Sequence, residues 1–284
     1  MNISTRDLVA DDSACPVDQV ILGSSLLLLI LGWVMVASAS SEIAARTYGN
    51  PFWYATRHFI YIFSGFIAGT AALMLPIKVW QRSSWILLLL SFFLLVIVLV
   101  PGLGREVNGA VRWIPLGIFN LQGSEFVKLF ALVFFAAYLV NPNNAVNDNF
   151  VSFLKPLAII SLLLVLLLVQ PDFGASVVII TAVIGVLFFS GAPLRFFAPT
   201  VLAGSVIVVL LVVMKPYRFA RLLTFTDPWK HQFDGGYQLT QALIAFGRGE
   251  WFGLGLGNSV QKLFFLPEAH TDFLFSIIAE ELGV

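Results

Sequence analysis

Residues 151–169 read VSFLKPLAIISLLLVLLLV, an apolar run whose single charged side chain is Lys155. An α-helix rises about 1.5 Å per residue, so about 20 apolar residues cross the roughly 30 Å hydrocarbon core of a bilayer. A membrane-spanning β-strand would alternate apolar and polar residues, whereas LLLVLLLV at residues 162–169 is apolar throughout. The run therefore predicts a transmembrane helix.

Six further runs of this kind flank residues 151–169. They lie at residues 20–39, 59–75, 85–100, 126–140, 173–192 and 196–214. Some are shorter than a bilayer requires, so we expect their helices to extend into the flanking residues. Another run begins at residue 273 and stops at 284, which predicts the start of an eighth helix and a missing natural C-terminus. The expected fold class is an all-α polytopic membrane protein with seven transmembrane helices and the start of an eighth.

The composition of the whole chain supports this class and excludes others. Of 284 residues, 59% are hydrophobic and 11% are charged, whereas about a quarter of the residues in soluble domains are charged. The 16 Lys and Arg residues equal the 16 Asp and Glu residues in number, so no overall positive field attracts a nucleic acid. The single cysteine, Cys15, excludes a disulfide framework and a cysteine-based metal cluster.

The same pattern divides the chain into four regions. They are an N-terminal tail (1–19), seven helices with short connections (20–214), a long loop (215–272) and the start of the eighth helix (273–284). The tail is acidic, unlike the basic start of a signal peptide, so the first run is expected to remain as a span. Seven spans place the long loop on the opposite side of the membrane from the tail. With the tail inside, the six basic residues of the loop oppose the positive-inside tendency, which suggests anion binding.

The long loop has the composition of a folded segment. Turn signals stand at Asp227-Pro228 and at residues 234–236. Residues 237–246 (YQLTQALIAF) carry apolar side chains at helical spacing, which predicts an interfacial amphipathic helix with Gly247 as its C-terminal cap. The glycines of GLGLGN (253–258) do not have the spacing of a nucleotide-binding loop. Histidine spacing gives no indication of a zinc site.

Polar or ionisable groups beside the apolar runs are costly unless they are paired or functional. Glu125 and Lys128 are three residues apart and can pair on one helix face, either as a neutralising pair or as part of a site. Residues 170–172 (QPD) favour a tight turn between antiparallel helices. Arg105 and Arg112 suit an ordinary solvated loop or an anion contact.

Residues 267–272 (PEAHTD) place two carboxylates and a histidine directly before the last apolar run. On the residues alone, Thr271 or Asp272 is favoured as the N-cap of the following helix, because Asp accepts backbone N–H bonds there. A catalytic carboxylate is the alternative. One residue can serve in both roles only if a carboxylate oxygen stays free.

Three stretches of the chain resemble the SEDS family of shape, elongation, division and sporulation proteins, and most closely its division branch. They are residues 104–129 (GREVNGAVRWIPLGIFNLQGSEFVKL), 170–174 (QPDFG) and 235–273 (GGYQLTQALIAFGRGEWFGLGLGNSVQKLFFLPEAHTDF). The similarity runs from about residue 20 to the end of the chain, and the third stretch is highly specific. Two features depart from the family pattern: Asn120 stands where some relatives have arginine, and the last helices of the family are missing.

The resemblance implies ten transmembrane helices, an N-terminus inside the cell, and polymerisation of the lipid-linked disaccharide-peptide lipid II into peptidoglycan strands. It places the family's catalytic aspartate at Asp272 and its intramembrane Glu/Lys pair at Glu125 and Lys128. It also implies a location in the bacterial inner membrane at the division septum. The implied partners are a septal class B penicillin-binding transpeptidase and other division proteins of the membrane.

The chemistry of glycan extension is compatible with these assignments. A sugar hydroxyl attacks an anomeric carbon while diphosphate leaves, so a carboxylate can act as general base and the leaving group needs positive charge. That charge is expected from Arg105, Arg112, Lys128, Arg248 and Lys262, or from a divalent cation such as magnesium or manganese with unknown ligands. The alternative functions are a lipid II flippase and a non-catalytic division scaffold.

Overall fold

The computed structural model describes residues 18–107, 110–115, 120–144, 146 and 149–284. The predicted N-terminal tail therefore lies outside the described residues, except for Asp18 and Gln19. Asp18 caps the first helix, because its Oδ1 accepts hydrogen bonds from the backbone N–H groups of Val20 and Ile21 at 2.8 and 3.2 Å.

Helices account for most of the described residues. In chain order they are α1 (Gln19–Tyr48), α2 (Trp53–Met74), α3 (Ile77–Leu99), α4 (Gly123–Val140), α5 (Phe150–Val169), α6 (Phe173–Phe189), α7 (Leu194–Val213), α8 (Pro216–Thr226), α9 (Tyr237–Gly249) and α10 (Leu274–Leu282). Six of them, α1 to α5 and α7, are at least 18 residues long and apolar enough to cross a bilayer, and α6 is an apolar helix of 17 residues. The mainly helical fold is confirmed, while the number of seven spans stays a prediction.

Several helices extend beyond the apolar runs, as expected for runs shorter than a bilayer. Helices α2 and α3 begin at Trp53 and Ile77, ahead of the predicted starts at 59 and 85. Helix α1 continues to Tyr48 and ends at Gly49, which has a φ of 68°. The Gly49 N–H group donates to the carbonyl of Ala45 at 3.0 Å, which is a common helix C-cap.

The described residues separate into two compact units, one formed by residues 18–70 together with 219–284 and the other lying within residues 71–218. In the first unit, α10 packs against α9 and α1. The apolar core of these contacts consists of Met35, Ala39, Leu266, Ala269 and Ile277. The end of the long loop is therefore packed between helices of the first unit.

Helix α9 confirms the predicted amphipathic helix of the long loop, but the predicted cap at Gly247 is wrong. The helix continues to Gly249, where it approaches α10 so closely that a Cβ atom would overlap the carbonyl oxygen of Ala279. Glu250 follows with a φ of 46° and ends the helix. A location of α9 at the membrane surface stays a prediction.

The second unit holds α3 to α7 around an apolar core. Helix α4 packs against α3 and α6, α5 packs against α3 and α6, and α7 packs against α6. The largest fully buried side chains of this core are Leu95, Phe134, Phe135, Leu163, Leu167, Ile179 and Leu187. The apolar faces of the helices meet one another in this unit.

A small antiparallel sheet replaces the loop expected between α3 and α4. Its strands are β1 (Arg105–Val107), β2 (Ala110–Pro115) and β3 (Asn120–Gln122), in the order β1-β2-β3. Trp113 pairs with Gln122, which directly precedes α4. The interpretation as a plain loop is wrong, because the β-branched and aromatic residues of this segment favour paired strands.

The start of the long loop also contains structure that the sequence interpretation omitted. Helix α8 (Pro216–Thr226) has no buried residue, and a short 3-10 turn follows at Pro228–His231. Asp227 caps this turn through the backbone N–H of Lys230, and the Lys230 ammonium pairs with the same carboxylate at 2.8 Å. The predicted turn at Asp227-Pro228 is confirmed.

Candidate functional site

The predicted site residues lie in both units. The first unit contains Arg248, Lys262 and Asp272, and the second contains Arg105, Arg112, Glu125 and Lys128. The segment with the most specific sequence pattern, residues 267–272, belongs to the first unit and leads directly into α10.

Backbone turns shape the PEAHTD segment. Glu268 has a φ of 54°, and its carbonyl oxygen accepts the N–H groups of Thr271 at 3.1 Å and Phe273 at 3.3 Å. The Thr271 hydroxyl donates to Glu268 Oε2 at 2.9 Å. Glu268 thus organises the turn before α10, and its carboxylate is engaged in that turn.

Asp272 does not cap α10, so the N-cap prediction for Thr271 or Asp272 is wrong. The helix begins at Leu274 with Phe273 at the N-cap position and without a side-chain cap. Backbone bonds take over this function, because Leu274 and Ser276 donate to the carbonyls of Thr271 and Phe273.

The Asp272 side chain is exposed. No hydrogen bond or ion pair links its carboxylate to any other described residue. Among the described residues, both carboxylate oxygens therefore stay unengaged, which is the condition that a catalytic role requires.

His270 lies two residues before Asp272 and is half-buried. Its ring contacts Tyr54 with a centroid distance of 4.7 Å, and its Nδ1 has no hydrogen-bond partner among the described residues. Burial lowers the pKa of His270, while the negative charge of Glu268 acts in the opposite direction. The imidazole is therefore predominantly neutral at physiological pH.

Lys262 is held in a buried ion pair that the sequence interpretation missed. Its Nζ lies 2.8 Å from Glu281 Oε1, and the two side chains are 7% and 0% exposed. Ser38 of α1 donates to both oxygens of Glu281 at 3.0 and 3.1 Å and accepts from Lys262 Nζ at 3.0 Å. The positive charge of Lys262 is thus neutralised within the protein.

Glu280 is also buried in α10 and binds the same part of the loop. Its carboxylate accepts hydrogen bonds from the Ser259 hydroxyl and from the backbone N–H groups of Val260 and Gln261, the last two at 3.2 Å. Arg248 Nε lies 4.0 Å from Glu280 Oε1, and the Arg248 side chain is 45% exposed. Two adjacent carboxylates in an otherwise apolar run, AEEL, were the sequence signal for this arrangement.

The first part of GLGLGN, residues 253–255, packs against α10. The backbone N–H groups of Leu254 and Gly255 donate to the carbonyls of Glu280 and Glu281, both at 2.9 Å. Gly253 has a φ of 70°, and a Cβ atom there would overlap the Glu281 carbonyl. These residues therefore hold the loop against the end of α10.

A cavity of about 570 Å³ adjoins Lys262 in the first unit. Its polar lining consists of Ser38, Ser41, Glu42, Asn258, Ser259 and Lys262. The cavity brings polar groups of α1 together with the long loop.

In the second unit, the predicted pair at the start of α4 is present. Lys128 Nζ lies 2.8 Å from Glu125 Oε2, and the side chains are 26% and 57% exposed, respectively. Helix α4, which carries both residues, begins at Gly123 directly after β3, so the sheet fixes where this helix begins. The pairing on one helix face is confirmed, whereas its functional role stays a prediction.

Arg112 and the turn between α5 and α6 are bound to each other. Arg112 on β2 donates from Nε to the carbonyl of Gln170 at 3.3 Å and from a terminal nitrogen to the carbonyl of Pro171 at 2.6 Å. Asp172 caps α6 by accepting the N–H of Ala175 at 3.3 Å, so the tight turn is confirmed. Arg105, in contrast, is exposed at the start of β1.

Comparison with known proteins adds an independent observation. The family model FTSW_RODA_SPOVE, described as "Cell cycle protein", matches residues 18–284. A protein of Pseudomonas fluorescens (strain SBW25) named "Probable peptidoglycan glycosyltransferase FtsW" is 52% identical over 93% of this chain and 65% of its own length. A protein of the same name from Hahella chejuensis (strain KCTC 2396) is 51% identical over 94% of this chain and 67% of its own length. The chain thus spans about two thirds of the length of these relatives.

Solved structures share the fold. The rod shape determining protein RodA of Thermus thermophilus matches with a TM-score of 0.62 and 25% identity, over 94% of this chain and 67% of that one. A chain from a structure described as "Structural coordination of polymerization and crosslinking by a peptidoglycan synthase complex" matches with a TM-score of 0.60 and 25% identity, over 90% of this chain and 70% of that one.

Proposed function

Because this chain belongs to the FtsW/RodA/SpoVE family of cell cycle proteins, we propose that the whole protein is a peptidoglycan glycosyltransferase of cell division. The name shared by relatives about half identical in sequence supports this activity. The proposed substrate is lipid II, whose disaccharide-peptide units are joined into glycan strands at the septum of the bacterial inner membrane. Several helices that are long and apolar enough to cross a bilayer support the membrane location.

We assign Asp272 as the general base because its carboxylate is bound by no other described residue. The acceptor hydroxyl oxygen forms a bond to the anomeric carbon of the donor, and the bond from that carbon to the diphosphate oxygen breaks. The hydroxyl proton passes to Asp272, and the lipid diphosphate leaves with the electron pair. General base catalysis of this kind typically contributes about 10²- to 10⁴-fold.

One carboxylate suffices for this reaction. Glycosidases use a second carboxyl group to protonate a poor leaving group, whereas a diphosphate is a good leaving group without protonation. The neighbouring Glu268 is engaged with Thr271 at 2.9 Å, which supports a structural role for it. Asp272 alone is therefore assigned as the base.

The basic residues differ in their availability to a diphosphate. In the first unit, Arg248 keeps 45% of its side chain exposed at 4.0 Å from Glu280, whereas the Lys262 ammonium is buried and bound by Glu281 at 2.8 Å. In the second unit, Arg105 is exposed and Arg112 is bound to the turn between α5 and α6. We propose that Arg248 in the first unit and Arg105 in the second unit each bind diphosphate. Cations of this kind stabilise the negative charge that develops on the leaving group.

The Glu125 and Lys128 pair is proposed to support binding of the donor lipid. Lys128 keeps part of its side chain accessible, at 26% exposure, while Glu125 fixes its ammonium at 2.8 Å. An ammonium held in this way can also bind a phosphate oxygen, because it has three N–H donors.

A divalent cation would supply further positive charge to the leaving group. Within the described part of the chain, no group of three or more His, Cys, Asp or Glu side chains is arranged to hold a metal ion. A divalent cation at the diphosphate therefore stays a proposal without assigned ligands.

The proposed partners are a septal class B penicillin-binding transpeptidase and other membrane proteins of the division machinery. The similarity to a chain of a peptidoglycan synthase complex that coordinates polymerization and crosslinking supports a transpeptidase partner.

Reconstitution of the full-length protein with its transpeptidase on fluorescent lipid II in liposomes tests the proposal. Polymer should form from lipid II in the outer leaflet with wild-type protein and with the control Glu268→Gln, but not with Asp272→Asn. Movement of labelled lipid II between leaflets without polymer would establish the flippase alternative. Polymer formation by Asp272→Asn at the wild-type rate would remove Asp272 from the base role.

A further inference from the structure

We infer that Lys262, Glu280 and Glu281 are positioning residues that hold the segment carrying Asp272. This inference rests on the proposed function, because it concerns the aspartate assigned there as the base. It gives the buried charges a role that differs from direct contact with the diphosphate.

The ion pair between Lys262 and Glu281 closes a loop of the chain that contains Asp272. The two residues are 19 positions apart in sequence, and their charged atoms lie 2.8 Å apart in the protein interior. Residues 263–273, between Lys262 and α10, consist of turns without a regular helix or strand. Fixing both ends of such a segment restricts the positions that its side chains can reach.

Glu280 provides a second anchor at the start of the same segment. It accepts hydrogen bonds from Ser259, Val260 and Gln261, and the carbonyl of Gln261 in turn accepts the N–H of Leu266 at 2.9 Å. Residues 259–262 are thus bound by two adjacent carboxylates of the helix that follows Asp272. A shift of α10 would therefore move both ends of the segment together.

Helix α1 provides the third anchor. Ser38 bonds to both Lys262 and Glu281, and Met35 and Ala39, which flank Ser38 in α1, pack in one apolar cluster with Leu266 and Ala269. Polar and apolar contacts of a single helix therefore support the segment between Lys262 and Asp272.

The ionic character of these anchors favours a role in geometry rather than in stability. Burying an ion pair costs desolvation free energy that its attraction often only balances, whereas removing one partner leaves an unpaired buried charge. Apolar side chains would fill the same space at a lower cost. A misplacement of about 1 Å in a catalytic group can lower a rate by about a hundredfold, so a fixed geometry here has a functional value.

Steady-state kinetics of the full-length protein with its transpeptidase test the inference. Glu281→Gln and Lys262→Met should each lower kcat for lipid II polymerisation by about tenfold to a hundredfold, with KM changed less than about twofold. The double variant should have a higher kcat than either single variant, because it leaves no unpaired buried charge. Lys230→Met, at an exposed lysine of the same loop, should behave as wild type.

A rise in KM with unchanged kcat for Lys262→Met would overturn the inference in favour of a direct diphosphate contact. Wild-type kcat in both single variants would also overturn it. If the charge variants do not fold, Ser38→Ala provides the test, since it removes a hydrogen bond without leaving a charge unpaired. This variant should lower kcat severalfold at constant KM, and wild-type kcat would contradict the role.

Hydrogen–deuterium exchange separates this inference from the proposed function. Peptides covering residues 263–273 should exchange faster in Ser38→Ala than in wild type, whatever the activity of Asp272→Asn. Unchanged exchange in this segment would overturn the positioning role even if Asp272 is the base.

Discussion

The contact between α9 and α10 at Gly249 leads to a prediction with an internal control. A Cβ atom at Gly249 would lie 2.8 Å from the carbonyl carbon of Ala279 and 3.0 Å from Glu280 Cα, and would overlap the Ala279 carbonyl oxygen. These are backbone atoms of α10, so no side chain can rotate away to relieve the clash. Gly247 lies two residues earlier in the same helix, and a Cβ atom there meets no atom within 4 Å.

The two alanine substitutions should therefore have opposite effects. Gly249→Ala forces α9 and α10 apart, and overpacking of this kind costs about 1–3 kcal/mol. Gly247→Ala should stabilise the helix by about 0.5–1 kcal/mol, because alanine loses less backbone entropy than glycine. A change of 1 kcal/mol shifts the Tm by about 2–4 °C in chains of 150–250 residues and by less in longer ones. Gly249→Ala should therefore lower the Tm by a few degrees, and Gly247→Ala should raise it slightly.

Thermal unfolding of the full-length protein in detergent, followed by tryptophan fluorescence, measures both variants under one condition. The expected order of Tm is Gly247→Ala, wild type, Gly249→Ala. Equal Tm values for the two variants would refute the close approach of α9 and α10. A lower Tm for Gly247→Ala would show that the exposed face of α9 is covered in the full-length protein.

Two further predictions concern Lys128 and His270. Lys128→Met should weaken binding of fluorescent lipid II by about tenfold, since hydrogen bonds to charged groups contribute about 1.5–3 kcal/mol. The control Glu125→Gln keeps the Lys128 ammonium and should weaken binding less. Unchanged binding in Lys128→Met would exclude the donor-binding role. Burial lowers the pKa of His270 in the folded protein, so the imidazole binds a proton more readily in the unfolded chain. The free energy of unfolding should therefore rise with pH between the lowered pKa of the folded protein and about 6.5, the pKa of an unperturbed histidine. His270→Phe should flatten this rise in denaturant titrations. A rise that persists in His270→Phe would assign it to other groups.

The helical architecture could be predicted from the sequence, because an apolar run of bilayer length can form all of its backbone hydrogen bonds within the run when it folds as a helix. Helix ends were less predictable. Polar residues at the start of α2 and α3 interrupt the apolar pattern but continue the helix, because helix ends near a membrane surface no longer need apolar side chains.

The sheet β1-β2-β3 was missed because two of its strands are only three residues long. Such short strands leave no clear alternation in the sequence, and their pairing depends on contacts across the sheet. The N-cap of α10 was predicted wrongly for a related reason: backbone bonds from Leu274 and Ser276 perform the function that the Asp272 side chain was expected to perform.

The candidate site was predicted at the level of residue types but not of their partners. Spacing sufficed for the pair of Glu125 and Lys128, because residues three apart share a helix face. It did not suffice for Lys262, whose partners Ser38 and Glu281 come from parts of the chain 224 and 19 residues away. Long-range ion pairs of this kind follow from packing, which a single sequence does not specify.

Chemical rescue at position 272 tests the central claim most directly. The exposed carboxylate of Asp272 leaves room for a small carboxylate to take its place when the side chain is removed. Polymerisation of lipid II by full-length Asp272→Gly should be abolished and then partly restored by formate in a concentration-dependent manner, while chloride at equal ionic strength restores nothing. Wild-type polymerisation by Asp272→Gly without formate would contradict the assignment of this carboxylate as the base.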